Sequence, residues 1–201
     1  MPGHAFAIPA GTPAITRDLR RAGGVYYTPA EIVHELVSRT IGDLQPKADG
    51  PPRILDPACG AGAMLVGAKR RGVELYGVDC DRPAVNAARR ECGAEVWCAD
   101  ALFDRRLDAL APFDAVVANP PYVNIRQLAN SRSRAYIERL RARFRTARGN
   151  FDLYVVFFER ALELLGTGGR CGMIVPNKWA TLDYARPLRK MLLTETTIEH
   201  V

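Results

Sequence analysis

No stretch of about 18 uninterrupted apolar residues occurs in this chain, which speaks against a membrane-spanning helix. Met1 to Arg21 lack the basic-then-apolar layout of a secretion signal. Histidine is scarce, and His4, His34 and His200 are too scattered to suggest a metal site. The five cysteines (Cys59, Cys80, Cys92, Cys98 and Cys171) form an odd set with no C-x-x-C pair. They read as reduced, buried small hydrophobes of a cytosolic protein. No P-loop lysine or magnesium-ligand pattern is present, and the dinucleotide fingerprint fails because its third glycine position is Leu65. Acid is missing from one place in particular. Between Arg126 and Arg148 stand eight arginines against one glutamate, a local +7, while twenty basic and twenty-one acidic residues elsewhere sum to −1. A basic stripe of this kind is the footprint of a polyanion, nucleic acid being the common one. A solvated arginine-rich helix face is the plain alternative.

What is present is an alternation of short apolar runs and amphipathic stretches. With 201 residues, near half of them hydrophobic, the chain holds one sizeable domain. Residues 1–24 read as a loose lead-in, and residues 25–201 as the domain proper. Thr28, Pro29 and Glu31 suggest a capping box opening a helix over 29–41, with Ile32, Val33, Leu36, Val37 and Ile41 as its stripe. Strands are expected at 53–56, 75–79, 95–98, 113–118, 171–175 and 197–201. Further helices are expected over 63–71, 81–92, 134–146, 152–165 and 182–193. This spacing predicts an α/β fold, a doubly wound, mostly parallel sheet with right-handed crossovers.

The chain is organised around Asn119-Pro120-Pro121-Tyr122, which follows the buried-strand pattern Phe113 to Ala118. It therefore lies at the carboxyl edge of the sheet, where open α/β sheets bind ligands. The two prolines remove two N–H donors and stiffen the backbone. What remains is a corner of acceptors, namely the Asn119 side-chain oxygen and the carbonyls of Asn119 and Pro120, beside the flat ring of Tyr122. A planar group bearing –NH2 fits it. A proline-rich turn is the bland reading.

Upstream, the strand ending in Asp56 runs into Pro57-Ala58-Cys59-Gly60-Ala61-Gly62 and a helix, a nucleotide-type turn. Asp56 would repel a pyrophosphate and suits a cationic end such as an amino-acid ammonium. Asp79 is placed for ribose hydroxyls, and Asp100 for an adenine amino group. One cationic head, one ribose and one adenine describe S-adenosylmethionine better than NAD or ATP.

With these residues in order, the chain resembles class I S-adenosylmethionine-dependent amino-methyltransferases. Within them it resembles the adenine-specific DNA methyltransferases of bacterial restriction–modification systems, the TaqI-like and Eco57I-like branch. Gly24 to Pro29 is similar to the N-terminal cofactor motif and Asp56 to Gly62 to the D-P-x-C-G-x-G loop. Gly77 to Asp81 is similar to the ribose motif, Ala99-Asp100 to the adenine motif, and Asn119 to Tyr122 to the catalytic N-P-P-Y. Asp152 to Tyr154 and Gly168 to Trp179 resemble the later motifs.

The resemblance implies a Rossmann-like catalytic domain in a cytoplasmic, nucleoid-associated bacterial protein. Thr28 would contact the methionine carboxylate of the cofactor, with the Asp56, Pro57, Ala58, Cys59 and Gly60 turn along the methionine moiety. Asp79 would hold the ribose, Cys80 would lie against the adenine, and Asp100 would bind its amino group. Asn119, Pro120, Pro121 and Tyr122 would form the catalytic corner, Asn119 also bordering the cofactor. Arg126, Arg132, Arg134, Arg141, Arg145 and Arg148 would contact double-stranded DNA from which an adenine is flipped. A cytosine-C5 enzyme needs a cysteine nucleophile, and none lies between Asp100 and Cys171, which excludes that class. The family's core normally continues past the equivalent of Val201. A missing seventh strand is therefore expected, with specificity supplied by a recognition domain or a partner subunit. The same corner also serves enzymes that methylate RNA bases or a glutamine side chain, and a non-catalytic remnant that binds cofactor or DNA is the alternative from another class.

Overall fold

The structure, a computed structural model, describes residues 28–47, 50–69 and 72–201. The lead-in 1–24 and the motif residues Gly24 to Tyr27 lie outside the described residues, and the helix expected over 63–71 ends earlier, at Ala68, with Lys69 extended. Five strands, β1 (Arg53–Asp56), β2 (Glu74–Asp79), β3 (Glu95–Cys98), β4 (Phe113–Ala118) and β5 (Leu165–Met173), form one sheet in the order β3-β2-β1-β4-β5. Every pairing is parallel. The chain winds outward from β1 to β3 and then returns to the other side of β1 as β4. The order thus reverses between β1 and β4, and the crevice beyond that switch point is where this architecture takes ligands.

The period of two along each strand splits the core into two layers. Ile54, Leu75, Val96, Ala115 and Val117 face one layer, covered by α1 (Ala30–Ile41), α2 (Ala63–Ala68) and α3 (Arg82–Cys92). Leu55, Tyr76, Trp97 and Val116 face the other. That second layer is built from α4 (Arg105–Leu110), α5 (Ile125–Ser131), α6 (Arg134–Arg143), α7 (Leu153–Leu164) and α8 (Arg186–Glu195). Helix α1 approaches β5 closely, since a Cβ on Gly172 would stand 2.0 Å from Thr40 Oγ1.

Four local expectations are corrected. Helix α1 begins at Ala30 with Pro29 at the N-cap position and no side-chain cap, so Thr28 and Glu31 form no capping box. The Thr28 hydroxyl is engaged elsewhere, by Asn119. The basic helix stops at Arg143 instead of Thr146, because Glu159 draws the Arg145 and Thr146 N–H groups out of the helical ladder. The last helix begins at Arg186, its start set by Pro187, a residue suited to the first turn. Finally, Thr197 to Val201 is exposed and forms no strand, leaving β5 at the margin of the sheet among the described residues. Gly168 and Gly169 lie within β5, whose pairing with β4 shifts register between Phe113 and Ala115.

Two buried charges fasten helix α7 to the loops that carry the site. Arg160 donates to the carbonyls of Ala101 (3.1 Å) and Asp104 (3.2 Å) and to the Asp108 carboxylate (2.7 Å), pinning the segment after Asp100. Glu159, 2% exposed, accepts from Arg145 N, Thr146 N and Thr146 Oγ1 at 2.8–2.9 Å. Removing that carboxylate orphans buried donors, a loss of about 3 kcal/mol. Glu159→Ala should therefore lower the urea midpoint at constant m-value, with Glu159→Gln intermediate. A midpoint equal to wild type in the alanine variant would show that the carboxylate carries no such load.

Candidate active site

Four strand tips meet along one margin of the sheet: Asp56 on β1, Asp79 on β2, Cys98 leading to Asp100 on β3, and Ala118 leading to Asn119 on β4. The turn after β1 is shaped by glycine. Gly62 has φ +93° and lies against α3, where a Cβ would stand 2.3 Å from Cys92 Sγ. Gly60 has φ +51°, and a Cβ there would meet no atom within 4 Å, so the space before it is open. Gly60 N–H donates to Asp79 Oδ2 and Asp81 N–H to Asp79 Oδ1, each at 2.8 Å. The carboxylate is thus fixed in orientation with one lone pair remaining on each oxygen, an arrangement suited to two neighbouring hydroxyls.

Asp56 is 1% exposed, and its Oδ1 accepts from Ala58 N–H at 3.0 Å. Burial pushes its pKa up to about 8, the Ala58 N–H opposes that, and the Asp79 charge adds to it. Asp79 is raised for the same first reason, burial, with the Asp81 and Gly60 N–H groups pulling the other way. Two acids so placed repel an anion and gain from a cation. Pro57 and Cys59 are buried, Ala58 and Gly60 half-buried. Burial also raises the Cys59 thiol, which makes it a packing residue and no nucleophile. Cys80 is exposed, its thiol 3.3 Å from the Ala99 carbonyl and its pKa raised to about 11, chiefly by desolvation. Asp100 Oδ1 accepts from Leu102 N–H at 3.1 Å.

The tetrapeptide is held from three sides. Asn119 Nδ2 donates to Thr28 Oγ1 at 2.8 Å, which points Oδ1 the other way. That oxygen receives the Tyr122 hydroxyl, which also lies 2.8 Å from the Ile174 carbonyl just past β5. Ile174 N–H in turn donates to Ala118 O at 3.0 Å. Beyond the corner, Ile125 N–H binds Phe151 O and Leu153 N–H binds Val123 O, tying the outgoing chain to the segment that opens α7. The Tyr122 ring meets Tyr154 edge-on at 6.4 Å. Tyr154 and Tyr184 hydroxyls lie 2.7 Å apart, and Tyr184 donates to Asp152. Thr28 thus stands beside the Asn119 corner, a place its sequence position did not reveal, while its own hydroxyl proton remains available to an acceptor. Pro120 is buried and Pro121 half-buried, as stiffeners of the turn are expected to be.

The basic segment is more divided than its composition indicates. Arg145, expected as a nucleic-acid contact, is paired through its guanidinium with both Glu159 and Glu195. Arg134 pairs with Glu138, and Arg143 grips Glu163 through both terminal nitrogens. Arg126, Arg132, Arg139, Arg141 and Arg148 form no salt bridge with a described residue. Arg139 stacks over Phe103 at 4.0 Å and Arg132 over Tyr136 at 5.4 Å. Sequence reasoning missed Tyr136 and Tyr184. The first was legible as inward-facing, from its helical spacing with Ile137, Leu140 and Phe144, but not in what it touches.

Comparison with known proteins agrees with this geometry. The profile of the Eco57I restriction-modification methylase family matches residues 99–201, and a general methyltransferase-domain profile matches residues 54–142. The type II methyltransferase M.BanIII of Aneurinibacillus aneurinilyticus is 29% identical over 84% of this chain and 33% of its own length. M.XhoI of Xanthomonas vasicola is 36% identical over 69% of this chain and 27% of its own length. The chain therefore spans about a third of the curated relatives it matches. Among solved structures, TrmN from Thermus thermophilus superposes with a TM-score of 0.53 at 22% identity, over 90% of this chain and 47% of that one. The likeness is one of fold, the Rossmann-like class I methyltransferase fold, whose cofactor is S-adenosylmethionine. With just over half of its residues matched by the family profile, the chain belongs to the Eco57I restriction-modification methylases.

Proposed function

We propose that residues 25–201 are the catalytic domain of a DNA methyltransferase that modifies the exocyclic amino group of an adenine flipped out of double-stranded DNA. The observation that carries this reading is the orientation of Asn119. Its amide nitrogen is committed to Thr28, so an oxygen acceptor is presented at the tip of β4, at the switch point of the sheet.

The residues fit the cofactor. Space is open before Gly60, Asp79 is oriented for two hydroxyls, and Asp56 favours a cationic neighbour. When bound, S-adenosylmethionine supplies an activated methyl group; the rest falls to the chain. An adenine amino nitrogen is a poor nucleophile because its lone pair is delocalised into the ring. Asn119 Oδ1 and the Pro120 carbonyl, by accepting its two hydrogens, favour a pyramidal nitrogen and offset the charge that develops there. The rigid diproline turn holds these acceptors without reorganisation, and orientation carries much of the rate. Tyr122 gives up Asn119 as the amino group arrives and keeps the Ile174 carbonyl, so its hydroxyl stays satisfied throughout. Unstacking the base costs a few kcal/mol, and stacking on Tyr122 returns about 1–3 kcal/mol. Target-sequence recognition is assigned to a further domain or a partner subunit.

Three expectations test this reading. Asn119→Ala should lower methyl transfer to unmethylated DNA by about 100-fold or more while S-adenosylmethionine binding stays nearly unchanged. Nucleoside mass spectrometry should find N6-methyladenine; N4-methylcytosine, or label only in RNA or protein acceptors, would overturn the substrate. Second, Asp56 has a folded pKa above its unfolded value, so the unliganded fold loses stability as pH rises from about 4 through about 8. Asp56→Asn should flatten that slope in melting experiments, and an unaltered slope would remove Asp56 as its source. Third, replacing Arg126, Arg141 and Arg148 together should reduce the salt slope of DNA binding by up to about 3. Should that slope persist, these arginines form a solvated face and nothing more.

A further inference from the structure

The basic segment sends two of its residues to the tips of β2 and β3. Tyr136, in the first turn of α6, is half-buried. Its ring meets Phe103 edge-on at 5.7 Å, and Phe103 continues to Phe144 at 6.1 Å. Its hydroxyl lies within hydrogen-bonding reach of the Asp100 carboxylate. Arg132 lies over the same ring at 5.4 Å and is a hydrogen-bonding partner of the Cys80 thiol, one residue after Asp79. One aromatic and one guanidinium thus bridge the two strand tips on which the ribose and adenine of the cofactor were placed.

We propose that Tyr136 and Arg132 close the adenine end of the cofactor site, Tyr136 as a positioning residue for Asp100 and Arg132 as the cap between Tyr136 and Cys80. This rests on the reading of Asp79 and Asp100 as cofactor ligands. A carboxylate offers about four acceptor directions, so the Leu102 N–H and the Tyr136 hydroxyl leave room for an exocyclic amino donor. A flat guanidinium beside an aromatic ring matches the face of an uncharged purine better than it matches a phosphate, which would draw the guanidinium outward. Arg132 therefore leaves the group of DNA contacts, although it stands in the same charged run as Arg126 and Arg141.

The test is calorimetric binding of S-adenosylhomocysteine and its inosine analogue, which lacks the amino group, to the full chain and its Tyr136→Phe, Arg132→Ala and Asp79→Ala variants. Losing one hydrogen bond or one stacked cation should weaken S-adenosylhomocysteine by about fivefold in the first two. In Tyr136→Phe the preference for the adenosine over the inosine compound should also shrink, which general loosening of the fold would not produce. Affinity for a short DNA duplex without cofactor should remain within about twofold of wild type in Arg132→Ala. Wild-type binding and preference in both variants, with Asp79→Ala impaired, would overturn this inference alone. So would an Arg132→Ala protein altered only in DNA affinity. Wild-type binding in Asp79→Ala as well would overturn the cofactor-site reading and this inference with it.

Discussion

The site depends on which end of one side-chain amide is turned toward the crevice. Asn119 has a donor end and an acceptor end of nearly the same shape, and only the acceptor end suits an incoming amino group. Thr28 breaks that symmetry. Its oxygen, 91 residues earlier in the chain, takes the Asn119 N–H at 2.8 Å, and Tyr122 supplies a hydroxyl donor at the opposite end. In the orientation observed, the two contacts hold the donor end on Thr28 and the acceptor end toward Tyr122. Thr28 is 8% exposed, so competition from water is slight.

This arrangement makes the sheet order functional. Thr28 lies two residues before α1, α1 packs on β4 and β5, and the Ile174 carbonyl just past β5 shares the tyrosine hydroxyl. Had β5 paired anywhere except beside β4, Tyr122 would lose the Ile174 carbonyl. The close seat of α1 depends in turn on Gly172, where any side chain would collide with Thr40. A glycine on β5 thus sets how closely the helix that follows Thr28 approaches the sheet.

Much of this was legible in the residues. Strands β1 to β4 end within one residue of where their apolar runs stop, because in a parallel sheet buried on both faces the run and the strand are the same thing. The acidic tips and the N-P-P-Y corner follow from those ends. What local sequence hid was governed by distant partners. The T-x-x-E pattern at Thr28 has the form of a capping box, yet a longer-range acceptor role claimed the hydroxyl. Asn124 and Gln127 do form a capping box, opening α5, a helix that the arginine count concealed. The expected helix through Thr146 fails because a buried glutamate thirteen residues away offers its backbone a stronger acceptor than the helix does. A terminal strand expected at Thr197 finds no neighbour to pair with among the described residues.

The arginines show most clearly why charge counted along a sequence differs from charge available in space. Of the eight between Arg126 and Arg148, Arg145 is tied to Glu159 and Glu195 and Arg143 to Glu163, all from helices far along the chain. These pairs fasten α6 to α7 and α8, and a phosphate could recruit them only by loosening that packing. Arg134 differs, since its pair with Glu138 lies in solvent and is worth little. It can exchange a carboxylate for a phosphate at small cost. The segment therefore has a fastened inner side and a charged outer side, joined by a helix of ten residues. Its inner aromatic, Tyr136, packs on Phe103 while its outer arginines face solvent, so the same short helix has one side in the core and one charged side at the surface.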